Sequence, residues 1–151
     1  MIIRKVKKKD LLEIFIWRND KKTVFFSKEK KKISLKNHIK WFNNNLRDSR
    51  TKFYIGYLIK KNKEKKVGIV RFDIKNKYAL VSININPIMR NKRLSFILLS
   101  NSIKKFLRFN KFRLIAEIKN NNLASLKCFL KNKFYFFKSN KQYSFYQRLL
   151  S

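Results

Sequence analysis

A basic hinge between a predicted strand and a predicted helix is the stretch best suited to binding a phosphate group. The strand pattern of residues 80–86 ends at Pro87, and an apolar pattern with helical spacing begins a few residues later. The first turn of a helix carries partial positive charge and backbone N–H groups that lack a partner within the helix. Three cationic side chains add full charges there: Arg90, Lys92 and Arg93. We predict that this hinge binds the pyrophosphate of a nucleotide-like cofactor and that an acceptor pocket lies beside it.

A second set of residues, rich in aromatic and polar side chains, is a candidate acceptor site. Residues 17–20 (Trp-Arg-Asn-Asp) end the first predicted helix. His38 and Trp41 lie three residues apart on the second, so both side chains can point in the same direction. Alone, His38 would be a surface polar residue and Trp41 a core residue. Their combination with residues 17–20 favours a functional role.

Stacking and bidentate hydrogen bonds are the chemistry that this set could supply. Trp17 and Trp41 could stack on a sugar or base, while Arg18 and Arg71 could hold a diphosphate. The alternative, with both Trp side chains in the core, stays open because Trp is usually largely buried.

The formal net charge of +32 would attract anions of many kinds. Nucleic-acid recognition favours Arg for bidentate contacts, but here Lys is the enriched cation and is spread along the whole chain. Together with abundant Asn, Ile and Phe, this pattern favours A/T-rich coding over a dedicated nucleic-acid binder. Nucleic acid is therefore expected as a partner only through non-specific charge.

Other classes are excluded by what the sequence lacks. A single cysteine, Cys128, offers no disulfide framework and no cluster for a metal, and we predict that it is a small buried residue on a helix. No apolar run approaches the roughly 20 residues of a membrane span. The first residues lack the apolar region of a signal peptide. A cytoplasmic protein is the prediction.

The hydrophobic periodicity predicts one α+β domain over residues 1–151. A first strand at residues 2–6 precedes two helices, the first capped by Asp10 and the second by Ser34, with a loop between them at residues 21–32. A three-stranded antiparallel meander leads into the hinge. A long helix, a parallel strand at residues 111–118, a helix at residues 123–131 and a closing hairpin complete the order.

This order and several short motifs resemble the GNAT superfamily of acyl-CoA N-acyltransferases. The family's cofactor motif, Arg/Gln-x-x-Gly-x-Gly/Ala, corresponds to residues 90–95, where Arg93 and Ser95 stand in place of the two small residues. Residues 118–125, followed by Phe129 and Phe134, resemble its Val-x-x-x-Asn-x-x-Ser motif and the aromatic residues beyond, with Lys133 where Gly is usual. The resemblance implies a mixed, mostly antiparallel sheet of about seven strands flanked by about four helices.

The N-terminal half is similar to a narrower branch of that superfamily. Residues 17–20, His38-x-x-Trp41-Phe42 and residues 68–73 resemble N-acetyltransferases of nucleotide-linked amino sugars in pseudaminic-acid-type pathways. The same branch grades into the ribosomal-protein N-terminal acetyltransferases.

The resemblance implies acetyl-CoA as cosubstrate and direct attack of an acceptor amine on its thioester. The strand at residues 83–85 would separate from the strand at residues 112–118 and pair with the pantetheine arm, with an N–H near Ile85 facing the thioester oxygen. The implied cofactor-binding residues are Ile83, Ile85, Arg90, Asn91, Lys92, Arg93, Leu94, Ser95, Asn122 and Ser125. The implied acceptor-binding residues are Trp17, Arg18, Asn19, Trp41 and Arg71.

Glu117 aligns with the carboxylate that some members use as general base, and an ion pair with a neighbouring Lys is the equal alternative. His38, with an ordinary pKa of about 6.5, is the second candidate for the base. The Tyr that often protonates the leaving thiolate falls at Phe129. The acid is then water or Tyr135, or the thiolate leaves unassisted.

Two hypotheses follow from the sequence. The first is an acetyl-CoA-dependent N-acetyltransferase acting on a small-molecule amine, in first place an amino-sugar nucleotide and in second place a ribosomal-protein or peptide N-terminus. The second is a non-catalytic basic module of GNAT shape. Either is compatible with a homodimer.

Overall fold

A computed structural model describes residues 1–150, in which helices cover a single seven-stranded sheet. The elements in chain order are β1 (Ile2–Lys5), α1 (Leu11–Arg18), α2 (Lys21–Phe26), α3 (Leu35–Arg47), β2 (Thr51–Lys60), β3 (Lys63–Ile74), β4 (Tyr78–Ile85), α4 (Leu94–Leu107), β5 (Arg113–Lys119), α5 (Leu123–Lys131), β6 (Tyr135–Ser139) and β7 (Tyr143–Arg148). Single 3₁₀ turns occupy Lys8–Asp10 and Pro87–Met89.

The sheet confirms the predicted α+β class. Its strand order is β1-β2-β3-β4-β5-β7-β6, and every neighbouring pair is antiparallel except β4 and β5. The parallel step follows from the α4 crossover, and β7 inserts between β5 and its own hairpin partner β6. Strand β5, which follows α4, therefore lies inside the sheet, between β4 and β7.

One helix was missed by the sequence analysis, which predicted a loop over residues 21–32. The described residues contain five α-helices, because residues 21–26 form α2. Asp20 caps it: its carboxylate accepts hydrogen bonds from the backbone N–H groups of Lys22 and Thr23 at 3.1 and 3.2 Å. The short helix has no buried residue, so it lacks the apolar periodicity on which the prediction relied.

Each face of the sheet carries its own core. On one face α4 and α5 cover the larger core, where the rings of Phe72 and Phe106 stack with centroids 4.2 Å apart. On the other face α1 and α3 pack over a smaller core that contains Trp17, Phe42 and Phe53. Within residues 1–150, no helix has the length and apolar character to cross a bilayer.

Both glycines of the chain lie where α4 crosses the sheet. Gly56 and Gly68 face each other across β2 and β3, beneath the buried side chain of Leu98. A Cβ atom on Gly68 would lie 2.5 Å from the carbonyl oxygen of Asn84 and 3.0 Å from Leu98. The two glycines thus permit α4 to approach β2 and β3 closely. Neither glycine lies in a turn.

Asp10 has a different role from the predicted helix cap. Its side chain makes no capping bond to α1 and is fully buried. Its carboxylate instead accepts hydrogen bonds from Arg4 at 2.7 and 2.9 Å and pairs with Lys66 at 3.0 Å. Burial opposes ionisation, but these bonds and one from the Lys7 N–H hold the pKa of Asp10 well below its usual range.

Candidate active site

Strands β4 and β5 run side by side for only three residue pairs and then separate. The ladder joins Tyr78 to Arg113, Ala79 to Leu114 and Leu80 to Ile115. Both strands continue, to Ile85 and Lys119, but no further pair joins them within the described residues. The facing edges of these second halves therefore present backbone N–H and C=O groups to a cleft. An extended, amide-bearing ligand could complete the ladder there.

The hinge that follows β4 ends in a helix N-terminus without a side-chain cap. Asn91 and Arg93 adopt left-handed backbone conformations, with φ of 61° and 57°. Arg93 is the N-cap residue of α4, and its side chain makes no capping hydrogen bond. The first N–H groups of α4 thus point out of the helix without a side-chain acceptor, as an anion site requires.

The left-handed residues of the hinge carry a conformational cost. A non-glycine residue in this region pays roughly 1 kcal/mol or more for its backbone conformation. The hinge adopts the conformation that suits glycine, although its residues are Asn and Arg. Strain of this kind is often retained at functional sites.

The cations of the hinge divide into one that is paired and two that are free. The Arg90 guanidinium donates to the Asp20 carboxylate at 2.6 Å and to the Thr23 hydroxyl at 2.9 Å. Lys92 and Arg93 are exposed and form no ion pair within residues 1–150. The structure therefore does not support the prediction that Arg90 lends its charge to a phosphate, since that charge is already compensated.

Residues 20–28, which we call the strap, connect the separated ends of β4 and β5. At the β4 end, the Thr23 hydroxyl donates to the side-chain oxygen of Asn84 at 3.2 Å. At the β5 end, the Lys119 ammonium donates to the backbone oxygen of Ser27 at 2.6 Å. Burial and the nearby charge of Lys30 lower the pKa of Lys119. The strap thereby closes the α1 side of the cleft and ties it to the hinge through Arg90.

Glu117 lies where the β4–β5 ladder opens. It follows Ile115, the last paired residue of β5, by two positions and so projects from the same face. The carboxylate is 22% exposed and accepts a hydrogen bond from the Lys28 ammonium of the strap at 3.1 Å. The predicted alternative for Glu117, an ion pair with a neighbouring Lys, is therefore present, and its role as general base stays a prediction.

The sequence model of the family described as "Acetyltransferase (GNAT) domain" matches residues 1–135. The chain belongs to the GNAT acetyltransferase family. It is an N-acetyltransferase, and acetyl-CoA is its cosubstrate.

Solved structures of low sequence identity share this GNAT fold. A domain from Methanocaldococcus jannaschii is 22% identical, with a TM-score of 0.87, and the match covers 99% of this chain and 97% of that one. Ribosomal-protein-alanine N-acetyltransferase from Brucella melitensis is 19% identical, with a TM-score of 0.79 and coverage of 99% and 100%. The Campylobacter jejuni N-acetyltransferase PseH, in complex with acetyl coenzyme A, is 20% identical, with a TM-score of 0.71 and coverage of 99% and 100%. No curated protein sequence gives a significant match.

The apolar residues predicted to bind the cofactor have their side chains turned to the larger core. The half-buried side chains of Ile83, Ile85 and Leu94 pack against the larger core, so the peptide groups rather than the side chains are left to face a ligand. Ser95, in the first turn of α4, lies beside Cys128. Burial raises the pKa of the Cys128 thiol, and Ser95 opposes this shift. The predicted burial of Cys128 on a helix is what the structure shows.

The second GNAT motif mainly builds the start of α5. The side-chain oxygen of Asn122 accepts a hydrogen bond from the Ser125 N–H at 3.2 Å, so Asn122 is the N-cap of α5. The predicted cofactor contact of Asn122 would have to come from its amide nitrogen or its backbone. Ser125 stays half-buried in the first turn.

Two of the predicted site residues lie inside the smaller core. His38 is fully buried, its Nε2 atom hydrogen-bonds to the backbone oxygen of Leu11 at 3.2 Å, and its ring packs against Phe15, Trp41 and Phe42. Burial lowers its pKa, and repulsion from Arg18 adds to this while the Leu11 bond opposes it. His38 has no access to an acceptor amine, so the structure contradicts its role as base.

Trp17 is the second of these buried residues. Its side chain is 4% exposed and therefore cannot stack on a substrate.

Asn19 also has a structural role instead of the predicted contact with acceptor. Its side-chain amide donates to the Ile33 backbone oxygen at 2.9 Å and accepts from the Ile33 N–H at 2.8 Å. These two bonds close the segment from residue 19 to residue 33, which contains the strap. Asn19 thus joins the two ends of the longer segment that contains the strap.

Trp41 and Arg71 are brought together at the cleft side of the smaller core. The Arg71 guanidinium lies 5.3 Å from the centre of the half-buried Trp41 ring and pairs with Asp73 at 3.0 Å. Arg18 is half-buried, and its Nη1 atom has no hydrogen-bond partner within residues 1–150. Trp41 and Arg18 remain available as acceptor-binding residues, whereas the charge of Arg71, like that of Arg90, is already compensated by a carboxylate.

No tyrosine replaces the missing general acid at its usual position. Phe129 is 2% exposed and packs edge-on against Phe134 with centroids 4.9 Å apart. Tyr135 lies on β6, which β7 separates from β5, so the structure does not place it at the cleft. Tyr143 on β7 pairs with Lys119 and lies beneath the Lys28 ammonium, 5.8 Å from the ring centre.

The sequence analysis missed the residues that assemble the strap. Asp20 carried a detectable signal, since an Asp before a polar segment is a common helix N-cap. Lys28 lies in residues 21–32, which we predicted to be a loop, and nothing local distinguishes it from the lysines around it. Its partner Glu117 is 89 residues away in sequence.

Proposed function

We propose that this acetyltransferase moves an acetyl group from acetyl-CoA to the primary amine of a nucleotide-linked amino sugar. The amine attacks the thioester carbonyl directly, Glu117 accepts the amine proton, and CoA leaves as the thiolate. With a thiol pKa of about 8.5, the thiolate can leave without a dedicated acid, so water suffices for its protonation. A single catalytic domain, residues 1–151, acting in the cytoplasm is part of this proposal.

The open β4 edge beside the bare N-terminus of α4 is the observation that supports the donor half. The pantetheine arm would pair with the backbone of residues 83–85, and the pyrophosphate would accept from the N–H groups of the first turn of α4. Lys92 and Arg93 would add charge to that contact. An N–H near Ile85 would donate to the thioester oxygen, where negative charge develops during attack.

The cationic character of the acceptor side supports an anionic acceptor. Arg18 offers a guanidinium nitrogen without a hydrogen-bond partner, which suits a diphosphate, and Trp41 offers a ring that suits a base or sugar. Arg71 would have to exchange its ion pair with Asp73 for a contact with the diphosphate. A polyamine or a basic protein N-terminus would have to approach against a net charge of +32. This repulsion places the ribosomal-protein alternative second, although a ribosomal-protein acetyltransferase shares the fold.

Thermal unfolding with acetyl-CoA and an acceptor screen test the proposal together. A ligand at 100 times its dissociation constant adds about 2.7 kcal/mol to the free energy of unfolding, so acetyl-CoA should raise the melting temperature by several degrees. Release of CoA thiol is then followed with amino-sugar nucleotides, peptides with basic N-termini and spermidine as acceptors.

Turnover with the amino-sugar nucleotides, faster than with the other two classes, is the expected outcome. Preferred turnover of a basic peptide would replace the sugar assignment by the ribosomal-protein one. No thermal shift at millimolar acetyl-CoA would support the non-catalytic module instead.

A further inference from the structure

We propose that the protein acetylates its own Lys28, an inference that rests on the proposed use of the β4–β5 cleft for acetyl-CoA. The Lys28 ammonium lies 3.1 Å from the Glu117 carboxylate, the position that the amine of an acceptor would take. The chain thus supplies an internal amine beside the group that would remove its proton. A primary amine held in place by the protein reacts as an intramolecular acceptor, with a large gain in effective concentration.

The reaction balances without any further reactant. Glu117 takes a proton from the Lys28 ammonium, and the free amine attacks the thioester carbonyl carbon. The new C–N bond forms as the C–S bond breaks, and the CoA thiolate takes a proton from water. The proton on Glu117 passes to solvent, which its 22% exposed carboxylate can reach.

Lys28 is distinguished from Lys119, a second lysine of this face. The Lys28 side chain is 71% exposed and can rotate toward the cleft once its proton is lost. The Lys119 ammonium is held by the backbone oxygens of Ser27 at 2.6 Å and Phe25 at 3.4 Å. It makes no hydrogen bond to a carboxylate within residues 1–150.

Acetylation of Lys28 would also change the site itself. An amide nitrogen carries no charge, so the ion pair that covers Glu117 would be lost. Glu117 would then be open to an external amine, and Lys119 would not replace Lys28 because its ammonium stays bound to the strap backbone. The modification should therefore not pass from Lys28 to Lys119.

A time course of acetylation, mapped by peptide mass spectrometry on the full chain with acetyl-CoA, tests this inference. Lys9 is the matched control, because its ammonium lies 3.7 Å from Glu64, its side chain is 59% exposed, and it is remote from the cleft. We expect Lys28 to be acetylated at least about tenfold faster than Lys9, with a rate per molecule that does not depend on protein concentration. Glu117→Gln should reduce the Lys28 rate to that of Lys9, and Lys28→Arg should remove the fast singly acetylated species.

Three results would overturn it: equal rates at Lys28 and Lys9, faster acetylation at Lys119, or a Lys28 rate that rises with protein concentration. These results are separable from failure of the proposed function. If acetyl-CoA shifts the melting temperature and an external acceptor turns over while Lys28 stays unmodified, only the self-acetylation is wrong. If acetyl-CoA produces no shift, the cleft assignment fails first and the self-acetylation falls with it.

Discussion

The hinge before α4 and the strap beside it form the two sides of one cleft, and they are built by different means. The hinge offers backbone N–H groups and two unpaired cations, Lys92 and Arg93. The charged side chains that end the strap are already paired: Asp20 with Arg90 of the hinge and Lys28 with Glu117 of β5. A backbone site keeps its function when side chains change, whereas a site made of ion pairs depends on each partner. This difference explains how the proposed cofactor cleft can function although residues 90–95 lack the glycines of the family motif.

Glu117→Gln should produce the largest effect, because it removes the only carboxylate assigned to chemistry on the strap side. General acid–base catalysis contributes about 10²- to 10⁴-fold, so kcat should fall at least about a hundredfold. The KM for acetyl-CoA should stay unchanged, since the donor half is untouched. Steady-state kinetics with the best acceptor measures both, and Glu64→Gln, which alters a remote Lys–Glu pair, is the control. An unchanged kcat would leave Glu117 as an ion-pair partner only.

Arg93→Asp should weaken pyrophosphate binding at the hinge while leaving the fold intact. The new carboxylate would lie at the N-terminus of α4, where it can accept hydrogen bonds from the first N–H groups and repel the pyrophosphate. We expect the dissociation constant of acetyl-CoA to rise about thirtyfold, or about 2 kcal/mol. Isothermal titration calorimetry measures this, with Lys133→Asp as the control at another left-handed position. Equal losses in the two variants would indicate a general charge effect instead of a site at α4.

The Asp20–Arg90 ion pair joins the strap to the hinge, so its removal should affect both segments. Asp20→Asn removes the ion pair, and Arg90→Gln removes the same contact from the other partner. The side chains of Arg90 and Asp20 are 21% and 23% exposed, so solvent screens their attraction only in part. We therefore expect a coupling free energy of about 1 kcal/mol in a double-mutant cycle. Hydrogen exchange of the strap should rise in either single variant. Additive effects on stability with no change in exchange would mean that the strap is held by its other contacts, those of Asn19, Ser27 and Lys28.

Two substitutions by glycine distinguish the effect of backbone strain on stability from the effect of side-chain charge on acetyl-CoA binding. Arg93 and Lys133 both stand where the family has glycine, and both adopt positive φ, 57° and 64°. Arg93→Gly and Lys133→Gly should each raise the free energy of unfolding by up to about 1 kcal/mol in a urea titration. Only Arg93→Gly should also weaken acetyl-CoA binding, because it removes a charge from the hinge. A loss of stability in both variants would show that the left-handed residues are not strained.

His38 provides a pH test of the core behind the strap side. It is the only histidine, and burial lowers its pKa, so the unfolded chain binds a proton more readily than the folded one as pH falls below about 6.5. His38 should therefore not reduce the free energy of unfolding above that pH. The free energy of unfolding should decrease as the pH is lowered from 6.5 to 5. Urea unfolding at several pH values measures this slope, which His38→Phe should abolish. A rise in stability over that interval would mean that the folded protein holds a charged imidazole.

Local patterns were sufficient to predict the fold class, the meander, the α4 crossover and the closing hairpin, because strand and helix periods are set by nearby residues. Local patterns also located the hinge, since a break at Pro87 followed by an apolar helical stretch requires no distant contact. The missed helix, α2, has no apolar face, and only the contacts of Asp20 and Thr23 with Arg90 show what it positions.

The amino-acid sequence by itself determined that this chain forms an α+β sheet with a cationic hinge at the start of its longest helix. Tertiary structure decided which candidates can reach a ligand: it buried His38 and Trp17, paired Arg90 with the strap, and placed Lys28 on Glu117. The physical reason is that burial and ion pairing depend on residues far apart in sequence, and here 40 Lys and Arg residues compete for eight carboxylates. Which cation pairs with which carboxylate is therefore fixed only when the sheet assembles.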